Sequence, residues 1–218
     1  YVDRASTPQA QFETLELLLE LKTRYPDRFV LLAGDHEITG VLNWKISPRD
    51  FEALARKKYG SGAQGVIDAY NELFNEMPLA AVTSDRLFAT HALYPEITES
   101  KTGVLGGSRR VKRILALEDL EQLGDNLRNT GFVKDFLFGT LDTTRQNYGK
   151  FGVTKRKVIA FLKKNSLRGI VRGHDSGLGT YNDVFGDGSV ISLHLNQHAY
   201  RNNVGYLRGD GWLEHKIR

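Results

Sequence analysis

"LLAGDHEITG", Leu31 to Gly40, begins apolar, stops at a glycine, and then sets three ionisable side chains in a row, Asp35, His36 and Glu37. The apolar run "RFVLLAG", bounded by Asp27 and Gly34, predicts a buried strand. Asp35 and His36 would then leave the carboxyl end of that strand for a loop, where α/β folds gather their reactive groups.

Two further histidines fall in the same topological position. "PLAAVTSDRLFATHALYP" predicts two strands around the Ser84-Asp85 turn, the second ending at His91, and "GIVRGH" predicts a strand ending at His174. A lone histidine at a strand end is ordinarily a capping or surface residue. Three of the six in the chain, one of them flanked by acids, point to a site. Neutral imidazole and carboxylate both suit Mn, Fe or Zn, so Asp35, His91 and His174 are candidate metal ligands. Two such ions can lower the pKa of a shared water and hold it for in-line attack on phosphorus.

The elements around these strands alternate, without repeats or low-complexity tracts. "TPQAQFETLELLLELKTRYP" has Thr7 as N-cap, Pro8 at the first helical position, Phe12, Leu15, Leu18 and Leu19 on one side, and Pro26 past the end. Helical patterns recur in "SPRDFEALARKKYG" and in "AQGVIDAYNELFNEM", where Val66, Ile67, Tyr70, Leu73 and Phe74 share a face. Residues 103 to 152 read as insertions and loops with one helix, Ala116 to Leu127. A helix over Lys155 to Asn165 follows, then strands near Ser189 to Leu193, Gly205 to Leu207 and Trp212 to Lys216. Helices early and strands late imply mixed sheets flanked by helices.

Composition narrows the chemistry. The 218 residues are 40% hydrophobic and 26% charged, enough for one domain with a substantial core. There is no Cys, which removes thiolate nucleophiles, Cys-rich zinc sites and disulfides together. No stretch of about 18 apolar residues or signal-peptide pattern is present, so the expectation is a soluble, cytoplasmic or nuclear protein without a membrane partner. The net charge of +4 gathers in "SRRVKR" and "TKRKVIAFLKKN", which read as solvated helix faces. Aromatic residues are not interleaved with them, and no nucleic-acid surface is read.

Several segments also resemble, in order, the motifs of the phosphoprotein phosphatases, the metal-dependent Ser/Thr protein phosphatases. "YVDRA" resembles the latter part of GD-x-VDRG, and "LLAGDHE" resembles LLRGNHE. The stretch ending in "THAL" is similar to the one ending in VHGG, "RQNYGKFG" matches the substrate-arginine segment, and "LKKNSLRGIVRGHDSGLGTYNDVF" resembles FLKKN-x-L-x-x-IVRAH. The resemblance implies an αββα metallophosphoesterase sandwich of two mixed sheets flanked by helices. It implies two divalent ions (Mn, Fe or Zn), with Asp35 in place of a metal-binding Asn and His91 and His174 as ligands. It further implies His36 as general acid, Asp3 as its carboxylate partner, and Arg4 and Arg145 as phosphate-binding arginines. Asp3 beside His36 would orient the ring and favour imidazolium, and two guanidinium forks can clamp phosphoryl oxygens.

Taken alone, Asp3 and Arg4 could be a surface ion pair, and Arg145 an ordinary solvated arginine. His194, Asn196 and His198 fall near the family's SAPNY loop, and His215 is given no role. Departures are visible as well: Ala5 and Ala33 replace a Gly and an Arg, Asp35 replaces Asn, and "THAL" replaces VHGG. The family's G-D-x-H-G motif has no counterpart, and the chain opens at Tyr1 inside another motif, so the expectation is a single domain over 1–218 preceded by further sequence. Two functions stand open. One is an active phosphatase acting on phosphoserine or phosphothreonine proteins, with a regulatory subunit as a partner. The other is a pseudophosphatase that serves as a scaffold or phosphopeptide-binding module.

Overall fold

A computed structural model describes residues 8–35, 37, 51–94, 96–102, 108–123, 133–141, 152–174, 181–193, 203–208 and 211–216. The first described element is α1 (Pro8–Arg24), whose basic last turn, Lys22 and Arg24, complements the negative end of the helix dipole. Its spacing is the expected one: Phe12 and Leu15 are buried, and Leu19 packs against the same core. The pair α2 (Phe51–Tyr59) and α3 (Ala63–Glu76) follows, joined by a single 3-10 turn, Gly60–Gly62. Gly60 has φ +54, the left-handed region that glycine enters without a Cβ penalty. Ile67, Tyr70 and Phe74 form the buried stripe of α3.

The strands and remaining helices, in chain order, are β1 (Ala80–Val82), β2 (Leu87–Thr90), β3 (Glu96–Thr102), β4 (Ser108–Ile114), α4 (Leu117–Leu123) and α5 (Val133–Phe138). Then come β5 (Thr140–Leu141), β6 (Gly152–Val153), α6 (Lys155–Lys164), β7 (Gly169–Arg172), β8 (Tyr181–Asp183), β9 (Val190–Leu193), β10 (Asn203–Arg208) and β11 (Gly211–Lys216). Five strands form a mixed sheet in the order β1-β2-β7-β9-β8. β2, β7 and β9 run parallel, while β1 and β8 run antiparallel at the edges. A central strand of a parallel set is covered on both faces, and β7 accordingly has Gly169, Ile170 and Arg172 buried. Two antiparallel hairpins, β3-β4 and β10-β11, and the parallel pair β5-β6 complete the described sheets.

The core joins α1, α3 and α6 to the central strands. Tyr94 stacks flat on Phe161 with centroids 4.0 Å apart, while Phe88 meets Phe161 edge-on at 5.2 Å and lies 6.4 Å from Phe136. Stripping one such ring to alanine costs about 3–5 kcal/mol. A cluster of four is therefore comparable with the about 5–15 kcal/mol that holds a typical domain folded.

Three expectations need correction. "RFVLLAG" is not a strand in the structure. Among the described residues, its backbone bond to a distant segment is Ala33 N to Pro78 O at 2.9 Å, one rung and not a ladder, and Val30 is 53% exposed. Residues 103 to 152 hold more than loops: β4, α5, β5 and β6 lie there, and the helix expected over Ala116 to Leu127 is described from Leu117 to Leu123. "SRRVKR" is part of a strand and not a helix face, because it pairs with β3 from Glu96↔Ile114 to Thr102↔Ser108. Backbone pairing of this kind needs no apolar periodicity, which is the signal that a pattern reading relies on. The second basic cluster is a solvated helix face as expected: on α6, Val158, Phe161 and Leu162 are buried while Lys163 and Lys164 are exposed. Among the described residues, no helix is long and apolar enough to cross a membrane.

Candidate metal centre

The parallel register of β2 and β7 brings two histidines together. Thr90 pairs with Arg172 at the ends of the two strands. One residue further on, Gly173 N donates to His91 O at 2.9 Å, so His91 and His174 leave the sheet side by side. His91 Nε2 lies 3.2 Å from His174 Nδ1, with the rings edge-on at 74°. Asp35 meets both, Oδ1 at 2.9 Å from His91 Nε2 and Oδ2 at 3.6 Å from His174 Nδ1. The three side chains are mostly enclosed, at 8%, 13% and 18% exposure for His91, Asp35 and His174.

Two local features hold this arrangement. His174 has φ 69, a left-handed conformation that a β-substituted residue adopts at a cost of about 1–2 kcal/mol. Such strain survives where the surroundings dictate it, and here it turns the ring toward His91. The Phe138 ring packs edge-on against the same imidazole, with centroids 6.3 Å apart. Next to Asp35, the Gly34–Glu37 turn closes on itself. Gly34 N donates to Glu37 Oε2 at 2.8 Å, and Glu37 N to Gly34 O at 3.4 Å. A Cβ on Gly34 would stand 2.5 Å from Glu37 Oε2 and 3.0 Å from His91 Nδ1. A side chain there would have to displace the Glu37 carboxylate and crowd the His91 ring, which favours glycine at this position.

The donor set fits a divalent cation. One carboxylate oxygen and two imidazole nitrogens lie within 4.8 Å of one another, and among the described residues this is the one group of three or more such donors. Two neutral imidazoles and a carboxylate form a ligand set for first-row ions. Three converging donors of this kind would hold one ion.

Of the residues singled out in the sequence, Asp35, His91 and His174 are brought together. His36, Asp3, Arg4, Arg145, His194, Asn196 and His198 lie outside the described residues. His215 is on β11 opposite Val204. Sequence reasoning missed Glu37 as a structural carboxylate, although it stands three residues after Gly34, the spacing of a closed turn. It also missed Arg172, which is 2% exposed and bonds to the loop beside His91.

Comparison with known proteins places this chain in a family. The calcineurin-like phosphoesterase family model matches residues 1–176. A protein phosphatase 2A catalytic subunit of Dictyostelium discoideum is 26% identical over 85% of this chain and 54% of its own length. The serine/threonine-protein phosphatase 4 catalytic subunit of Saccharomyces cerevisiae is 28% identical over 87% of this chain and 56% of its own. The chain thus spans about half the length of these relatives. A solved protein serine/threonine phosphatase from Saccharomyces cerevisiae shares the fold with a TM-score of 0.67 at 19% identity, covering 95% of this chain and 66% of that one. These matches support the resemblance read in the motifs. The family model reaches through both histidine-bearing strands, and the chain belongs to the calcineurin-like phosphoesterases.

Proposed function

We propose that the protein is a metal-dependent phosphomonoester hydrolase acting on phosphoserine or phosphothreonine in proteins. The observation that carries this reading is the convergence of Asp35 with His91 and His174, the two histidines standing just past the carboxyl ends of adjacent parallel strands. In this reading the three side chains hold one of two divalent ions, Mn, Fe or Zn. When bound, such ions supply Lewis acidity at the phosphoryl group and make water a nucleophile at neutral pH. His36 donates a proton to the departing alkoxide, with Asp3 orienting its ring. Arg4 and Arg145 hold the equatorial phosphoryl oxygens, where charge is concentrated during transfer. Asp35, in place of a neutral asparagine, adds a negative charge to the site and strengthens its hold on a cation. A phosphoprotein substrate, a regulatory subunit and a cytoplasmic or nuclear setting belong to the same reading.

The second reading, a scaffold that no longer turns over, draws on the departures near the histidines. Ala92 stands where the family has glycine and is fully buried. Turnover separates the two. The full-length protein is expected to release phosphate from p-nitrophenyl phosphate when Mn is supplied, and His36→Ala is expected to lower kcat by about 10²–10⁴. Activity that is the same without His36, or absent with every divalent metal tried, defeats the enzyme reading.

A further inference from the structure

We infer that Arg172 is a positioning residue, a fork whose two prongs fix the two metal-ligating histidines relative to each other. The inference rests on the reading of Asp35, His91 and His174 as a metal centre. Arg172 is the last residue of β7 and is 2% exposed, on a strand whose other residues are Gly169, Ile170 and Val171. Burying a guanidinium is unfavourable unless its donors find acceptors, so its bonds identify its role. Nε donates to Ala92 O at 2.6 Å, and Nη2 donates to Gly139 O at 3.3 Å.

One acceptor adjoins a ligand, and the other adjoins a residue that packs against the second ligand. Ala92 directly follows His91, and the same turn is pinned from its other sides: Ala92 N donates to Phe136 O at 2.8 Å and His91 O accepts from Gly173 N at 2.9 Å. Gly139 directly follows Phe138, whose ring stands edge-on against His174. One prong therefore holds the backbone that carries His91, and the other holds the backbone whose side chain buttresses His174. The planar guanidinium presents both donors in a fixed relation, which ties together the backbone segments behind the two ring nitrogens that meet at 3.2 Å. A lysine places a single ammonium on a flexible stem and cannot hold both carbonyls in that relation. An apolar residue would pack but would leave both carbonyls without this donor.

The test reads metal binding apart from turnover. In the full-length protein, Arg172→Lys is expected to weaken Mn(II) about 10–100-fold by calorimetric titration, the range for residues that orient ligands through others. With Co(II) in place of Mn(II), the visible absorption bands are expected to shift, and Arg172→Met is expected to shift them further. Mn(II) affinity and Co(II) bands that match the unmutated protein, alongside a lower apo melting temperature, would make Arg172 merely structural and overturn the inference. If the variants do not fold, native-state hydrogen exchange on the unmutated protein decides. The amides of Ala92 and Gly173 are expected to open as one cooperative unit with those of β5, at a single urea dependence. Separate urea dependences would overturn the coupling. Failure of the unmutated protein to bind Mn(II) at all would instead count against the metal centre itself, and the exchange experiment still decides whether the clamp exists.

Discussion

Gly34 illustrates how closely single residues are constrained around the site. The space a Cβ would take is already filled by the Glu37 carboxylate and the His91 ring. Gly34→Ala is therefore expected to lower stability by about 1–3 kcal/mol through overpacking, read by urea unfolding. Because the ring displaced is that of a proposed ligand, Mn(II) affinity should fall by at least about tenfold, read by titration. Affinity unchanged in that variant would mean that His91 does not depend on this contact. At the same scale, Asp35, His91 and His174 could be read from the sequence because each stands where a predicted strand gives way to a loop. Arg172 and Glu37 could not, since their roles are set by backbone groups that only the folded chain brings near. Nothing in "GIVRGH" says that the arginine will turn inward to carbonyls 80 and 33 positions away.

Elements are tied to one another here by side chains at their ends. Asn165, at the close of α6, donates to Phe161 O at 3.0 Å and Leu115 O at 3.3 Å and accepts from Leu117 N at 2.8 Å, so it stitches α6 to the start of α4. Asn165→Ala leaves buried backbone groups without this partner and should cost about 1–3 kcal/mol by chemical denaturation. At the other end of α6, Lys155 sits against the positive end of the helix dipole, and Asp187 answers it, Nζ to Oδ2 at 2.7 Å. The ammonium of Lys155, with the Ser189 amide donating to Oδ1 at 3.0 Å, holds the Asp187 carboxyl down to about 2 from an ordinary 3.8. Because the folded value lies below the unfolded one, this stabilisation is complete above about pH 4 and is lost as pH falls through about 2. The pair is well exposed, so screening limits its worth to about 0.5 kcal/mol at pH 7. Asp187→Asn should show that deficit at neutral pH in thermal unfolding and match the parent below pH 2. Helices α1, α3 and α6 were legible from apolar spacing because each covers one face of the core. The run "RFVLLAG" misled because apolar composition alone does not supply a ladder of partners, and the β3-β4 hairpin was hidden by its charge.

Across the whole molecule, the sheet order does what no local pattern could announce. His91 and His174 are 83 positions apart, and they meet because β2 and β7 pair in parallel with Thr90 opposite Arg172. Parallel pairing of distant strands is a long-range choice, made by burial of Phe88, Ile170 and Val190 in one core and not by the residues at the strand ends. The fold class was legible because helices and strands alternate, and the candidate site was legible at His91 and His174, where motif and strand end coincide. The position of β8 at the sheet edge, antiparallel to β9, was not, since three residues carry too little periodicity to register. The claim on which the rest depends is that this sheet end holds a divalent ion. Crystals of the full-length protein grown with Mn(II), measured at the manganese absorption edge, test it directly. The account predicts an anomalous peak about 2.0–2.3 Å from an Asp35 carboxylate oxygen, His91 Nε2 and His174 Nδ1. A map with no peak among these three side chains, or with manganese only elsewhere, would contradict it.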